Sequence, residues 1–324
     1  MKVLKKLLKN PTSLTGIILL VAFVIMAIGA PWFAPPPANS RDSYMIPRDG
    51  FSTEPQPPSD THRLGTTEGQ YDIFYGVIWG SRTAFRIGVV ITILTTIMGL
   101  IVGAISGFYG GWLDEVLMRL TEIFQAFPFL LAAITLTSVL ATVMGRPEAN
   151  ALVFMAKILA MITFGQSPTQ DIDPVQLQIL TGMLAIIAFG WMTIARVIRG
   201  NILAIKEFEY SLAARTIGAG NMRILFRHLL PNAVFPVLVI ASMNIGSYVL
   251  TFAALSFLGL GAQRGYADWG QMISFARNWI PSLADHWYIV VFPGMAIVLF
   301  VLAWNLVGDA LRDILDPRLT GSRA

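Results

Sequence analysis

Six stretches of this sequence stay apolar for about the 20 residues that a helix needs to cross a bilayer. They are Leu14–Phe33, Ile87–Tyr109, Leu117–Ala141, Leu177–Val197, Ala233–Leu260 and Tyr288–Val307. In lipid every such segment must satisfy its own backbone, so the expected fold class is an all-α polytopic membrane protein with six transmembrane helices. Composition agrees: of 324 residues, 55% are hydrophobic and 13% charged, where a soluble domain carries about a quarter charged. A seventh apolar run, Ala151–Gly165, is short and has Lys157 in its middle, and reads as a buried or interfacial helix. The first run follows the basic start MKVLKKLLK but is too long for a signal-peptide core, and Pro31 follows its small residues directly, so it reads as a retained span.

Lysine and arginine placement sets the expected orientation. With the N-terminus inside and six alternating helices, 14 of the 23 basic residues fall inside, although the outside segments are longer. Both termini and the basic stretch Glu209–Asn232 are then cytoplasmic. Charge is modest, +4 in total, and no nucleic-acid partner is expected. Three regions follow: 1–33, a basic N-terminus and first span; 34–82, a Pro-rich segment outside; and 83–324, a five-helix core. The core includes an insertion near 144–176, a loop near 200–231 and a cytoplasmic tail near 308–324. Seven of the 18 prolines lie from Pro35 to Pro58, which predicts an extended, partly mobile segment without regular helix. Gly99, Gly103, Gly107 and Gly111 repeat every four residues, a smooth stripe for close approach of a neighbouring helix.

What the spans lack narrows the chemistry. Ile87–Leu113 and Asn232–Gln263 hold no charged residue, unlike ion-coupled carriers, which keep intramembrane ionisable groups. His62, His228 and His286 read as loop residues, so no Ser–His hydrolase assembles, and no phosphate-cradling glycine loop is present. Cysteine is absent, so thiolate metal sites are excluded. Neither a catalytic nor a cofactor or metal site is expected. The chain reads as a passage whose energy source lies elsewhere. Between Arg199 and Pro231, Lys206–Arg215 reads as a short helix broken by Gly218 and Gly220. A second amphipathic helix carrying Arg223 and Arg227 follows, with span five starting at Pro231. By itself this is also the pattern of a basic loop lying on lipid.

The residues L-A-A-R-T-I-G, nine more, then H-L-L-P resemble the EAA loop of ABC-importer permeases, E-A-A-x3-G-x9-I-x-L-P. Ala213, Ala214, Gly218, Leu230 and Pro231 match, while Leu212 stands at the glutamate position and His228 at the isoleucine. Further pieces agree in order: HRLGT from His62, GFYGGWLDEVLMRLTEIFQAFPFLL from Gly107, LSFLGLG from Leu255, FPGMAI from Phe292 and NLVGDALRDILDPRL from Asn305. Together they cover roughly residues 62–142 and 177–320. They resemble the C-type membrane subunit of the dipeptide/oligopeptide (peptide/nickel) importer family. The family pattern G-T-D-x-x-G-R-D reads here G-T-T-E-G-Q-Y-D from Gly65, and the 144–176 segment is long for the family.

The resemblance implies a type I ABC importer permease fold in a prokaryotic cytoplasmic (inner) membrane, with the EAA loop as coupling helix. Glu209, Leu212, Ala213, Ala214, Arg215 and Gly218 would contact a cytoplasmic ATPase, with polar contacts moved from Leu212 to Glu207 or Glu209. Implied partners are a second homologous permease forming a heterodimer, two ATPase subunits holding ATP and Mg, and an extracytoplasmic binding protein. The cargo would be peptide, or alternatively nickel, glutathione or oligosaccharide. Asn244, Ser247, Tyr248 and Thr251 are the candidates for the pathway lining, against the reading that such groups bond to neighbouring helices. Gly246 would supply a bend in span five. The rivals are a nucleotide-independent channel or carrier and a scaffold that binds partners without transport.

Overall fold

The computed structural model describes residues 10–144 and 150–315, and within them every regular element is helical. The basic residues before Asn10 and after Leu315, and Arg146, lie outside the described residues. Helix α1 (Pro11–Phe33) opens where the Asn10 side chain accepts the Thr12 N–H. Helix α2 (Ile73–Tyr109) starts well before the Ile87 expected from hydropathy. Asp72 caps it by accepting the Tyr75 N–H. Its early arginines lie on aromatic rings, Arg82 over Trp79 at 5.1 Å and Arg86 over Tyr44 at 4.6 Å. At about 1.5 Å per residue its 37 residues overrun the hydrocarbon core.

The expected third span is corrected. Leu117–Ala141 is two helices, α3 (Gly111–Gln125) and α4 (Phe129–Met144), meeting at 89°. Pro128 in the break has no N–H and pushes its predecessor out of the helical region. Among the described residues five helices are long and apolar enough to cross a membrane, and the bent pair makes a sixth if taken as one span. Helix α5 (Asn150–Phe164) is the short apolar helix; Ala156, Leu159 and Ala160 are buried while Phe154 and Met155 stay exposed. Helices α6 (Pro174–Gly190) and α7 (Met192–Lys206) form one span joined at Trp191.

The short elements are α8 (Glu209–Thr216), α9 (Asn221–Ile224), a π turn at Leu225–Leu229 and α10 (Leu230–Ala233). Lys206 therefore ends α7 instead of opening the short helix, and His228 lies in the π turn. Helix α11 (Phe235–Phe257), helix α12 (Trp269–Ser274), a 3-10 turn at Phe275–Ser282 and helix α13 (Tyr288–Leu315) complete the order. Gly246 lies within the continuous α11, where a Cβ would stand 3.1 Å from the Val301 Cα of α13, so it allows close packing of the two helices.

Helix α2 threads three cores. Its first turns pack with α1, α11, α12 and α13, its middle with α4, α5, α6 and α11, and its end with α7 and the short helices. The glycine stripe meets α7: a Cβ would lie 2.7 Å from Ile194 at Gly99, 2.3 Å from the Ala195 carbonyl at Gly103 and 3.0 Å from the Arg199 carbonyl at Gly107. Gly111 lies beyond α2, as the first residue of α3, at φ +58.

The Pro-rich segment has no regular helix, as expected, but it is a cap packed on the α12 end of the bundle. Isolated bridges join Met45 to Tyr266 and Arg48 to Tyr71, and Tyr75 Oη donates to Ser43 O at 2.7 Å. Glu68 accepts from Arg264 at 2.7 Å, Asn278 at 2.8 Å and Trp279 at 3.3 Å. Partial burial pushes the Glu68 carboxyl up, but the hydrogen bonds from Asn278 and Arg264 and the Arg264 charge outweigh it, and the net shift is down from 4.5. A lowered acid stabilises the fold above its ordinary range, and that contribution is lost as pH falls through its folded value. Melting of the detergent-solubilised chain is expected to fall as pH drops below 4.5, and Glu68→Gln to remove that part of the pH dependence.

Candidate functional site

At the end of the bundle opposite the cap, α8 carries a Schellman close. Ala219 N donates to Ala214 O and Gly218 N to Arg215 O, both at 3.0 Å, with Gly218 at φ +80. This geometry needs glycine for its backbone angle and not for space, since nothing lies within 4 Å of its Cβ position. Ala214 is buried in the core cluster that holds Phe108, Ile202, Ile205 and Ile224, on which Ala219 also packs. Of the residues expected at the ATPase contact, Ala214 is the one buried within its own chain, where it helps to seat α8. Glu209, Leu212, Ala213, Arg215 and Gly218 are exposed as expected.

Beside them lie large apolar side chains that sequence reasoning missed. Phe208, Tyr210, Ile217, Met222 and Phe226 are all exposed, Ile217 at 85% and Met222 and Phe226 at 60% each. With Leu212 they make an uncovered apolar surface set among Arg215, Arg223 and Arg227. Such a surface marks an interaction site. The signal available in sequence was apolar residues at positions with no apolar face of their own to cover.

The platform is clamped to the spans. Arg199 on α7 makes a two-point bond to Asp114 on α3, Nε to Oδ1 at 2.5 Å and Nη2 to Oδ2 at 2.6 Å, and Ser106 of α2 also donates to Asp114. Lys206 Nζ donates to Phe108 O at 2.8 Å and Asn201 Nδ2 to Ala233 O at 3.0 Å. On the other side, Leu230 N–H bonds Leu225 O, a π register. Pro231 has no N–H to offer the Arg227 carbonyl, and Asn232 Nδ2 instead donates to His228 O at 2.7 Å. These bonds tie α2, α3 and α7 to one another beneath the short helices, and α7 to α10. Asp114→Asn is expected to lower stability by about 1.5–3 kcal/mol, the range for a bond to a charged group. The exchange Asp114→Arg with Arg199→Asp would recover part of it, as read by thermal melting.

A cavity of about 790 Å³ lies between the α3–α4 break, the α6–α7 junction and α11, and Asn244, Ser247, Tyr248 and Thr251 all line it. Tyr248 is buried and its Oη donates to Gly190 O at 2.9 Å, so it also serves the helix-bonding reading. Ser247 and Thr251 donate to carbonyls one turn back, at 3.4 Å and 2.9 Å. Glu122, Gln125 and Arg196, not expected from sequence, place charge and an amide on the wall. Among the described residues no group of three or more His, Asp or Glu is placed to hold a metal ion.

Residues 99–321 match the profile described as the binding-protein-dependent transport system inner membrane component. The chain belongs to that family. This permease also matches, over residues 2–58, the N-terminal TM domain of oligopeptide transport permease C. It is 34% identical over 315 residues to the dipeptide transport system permease protein DppC of Alkalihalophilus pseudofirmus, covering 97% of this chain and 88% of that one. It is 32% identical to the glutathione transport system permease protein GsiD of Pectobacterium atrosepticum over 315 residues, 97% of this chain and 90% of that one. With GsiD of Escherichia coli it shares 35% over 309 residues, 95% of this chain and 87% of that one. The permease is a multi-pass membrane protein of the type I ABC importer fold, and the peptide-importer resemblance of its C-type motifs is borne out.

Proposed function

We propose that the chain forms half of the pathway of an ATP-driven importer that takes up short peptides handed over by a binding protein. Its partner is a second, homologous permease. The observation that carries this reading is the uncovered α8–α10 platform, with Leu212, Ile217 and Met222 exposed at one end of a bundle whose other end is capped. That platform docks on two cytoplasmic ATPase subunits, which hold ATP and Mg, so both termini are cytoplasmic and the cap is outside. Glu209, Leu212, Ala213, Arg215 and Gly218 meet the ATPase, and ATP-driven closure moves α8 and, through Arg199 and Asp114, the walls of the cavity. The cavity lined by Asn244, Ser247 and Thr251 opens alternately to the two sides. Relatives named for glutathione transport, at identities like those of the dipeptide relatives, favour glutathione as the second cargo reading.

The test is extraction of the tagged chain from its native membrane in mild detergent, followed by identification of what copurifies with and without crosslinking. ATPase subunits and a second permease are expected. A chain that emerges alone under both conditions contradicts the reading.

A further inference from the structure

Helix α11 lines the large cavity with its middle and reaches a second pocket at its cap end. This pocket is about 380 Å³, and its polar lining includes Gln178, Gln263, Arg264, Gln271, Arg277 and Asn278. No carboxylate is among its lining residues. Glu68, just outside, bonds Arg264 and Asn278 and offsets one positive charge. Asp268 is buried and caps α12, accepting the Gln271 N–H at 2.8 Å. Arg277 has no ion pair among the described residues. Its guanidinium carbon lies 4.3 Å from the Phe257 ring centroid and that of Arg264 lies 5.0 Å from Phe275. These cation–aromatic contacts hold both guanidinium groups at the pocket. Arg264 already gives Nη2 to Glu68, whereas Arg277 makes no side-chain hydrogen bond among the described residues, so its N–H groups can meet a carboxylate at two points. Gln271 is 3% exposed and its Oε1 has no hydrogen-bond partner, an unusual state for a buried polar atom.

We propose that this pocket receives the carboxylate of a peptide cargo, with Arg277 as its two-point donor and the amide side chains matched to peptide N–H and C=O groups. This rests on the importer reading, in which the cap face meets cargo first. A carboxylate about to enter spans nearly bare of charge must be met by a fixed cation, because burying it unpaired is prohibitive. Arg277 at the mouth, followed by Arg196 on the wall of the large cavity, supplies one at each stage.

The chain has no cysteine, so Gln263→Cys gives a single reporter thiol at the pocket's exposed rim. In the full chain in lipid nanodiscs, its modification rate is read with the uncharged probe N-ethylmaleimide. Alanyl-alanine, its C-terminal amide and inorganic phosphate are added in turn. Alanyl-alanine is expected to slow modification by the factor 1 + [ligand]/Kd, about threefold at twice Kd, and the amide to have no effect. Arg277→Gln should abolish the protection, and Arg277→Lys, which keeps charge but loses the two-point donor, should weaken it. Equal protection by peptide and amide, or none by either, overturns the proposal. Protection by phosphate at least as strong as by alanyl-alanine also overturns it, by assigning the pocket to a phosphate group. The assay needs no ATP, partner or transport. Its failure would leave copurification of the ATPase standing, and loss of copurification would leave the protection result standing.

Discussion

Ala213→Glu is expected to abolish substrate-stimulated ATPase activity of the assembled complex while leaving the chain inserted and folded. Ala213 is exposed on α8, so a carboxylate there is tolerated until a partner's groove closes over it. Burying that charge without a counter-ion costs the interface at least about 2 kcal/mol, or roughly 30-fold in coupling. The neighbouring change separates docking from folding. Ala214 is buried against Phe108, Ile202 and Ala219, so Ala214→Glu should unseat α8 and lower the melting temperature of the chain alone. Loss of stimulation with both variants, and loss of stability with only the second, is the expected pattern. Full stimulation with Ala213→Glu would remove α8 from the coupling path.

Gly103→Val should be the most damaging single change along the glycine stripe. The first carbon of any side chain at Gly103 would stand 2.3 Å from the Ala195 carbonyl, a backbone atom that moves only with α7. Overpacking of this kind costs about 1–3 kcal/mol in soluble cores, and separating two spans that carry the platform should cost at least that. The series gives its own ranking. Alanine at Gly103 should be worst, at Gly99 and Gly107 milder, and at Gly200, where nothing lies within 4 Å, neutral or stabilising. Thermal melting in detergent reads the order, and equal effects at Gly103 and Gly200 would contradict the α2–α7 crossing.

The spans were legible because lipid imposes one requirement on a segment, apolar length, and that is written locally. The glycine stripe was legible for the same reason, as a period on a helix. Asn244, Ser247, Tyr248 and Thr251 stood out as polar residues on a charge-free span, and all four line the large cavity. What was missed depends on residues far apart. The cap rests on Glu68 and Arg264, separated by 196 positions, and no local pattern reveals such a pair. The break at Pro128 hides in an apolar run, although the charges Asp114, Glu115, Arg119 and Glu122 already made α3 a poor span. The burial of Ala214 was not legible either, because a motif records which residues matter and not which way the folded helix turns them. Glu122 and Arg196 reach the cavity from separate elements, so only their assembly shows them.

This chain is expected to move its cargo only when a separate ATPase drives it. That dependence is tested most directly by radiolabelled peptide uptake into proteoliposomes, with the purified chain alone or with its second permease, ATPase subunits and binding protein. ATP is supplied on the α8 side or withheld. Uptake is expected only from the complete set with ATP. Uptake by this chain alone, without nucleotide, would contradict it.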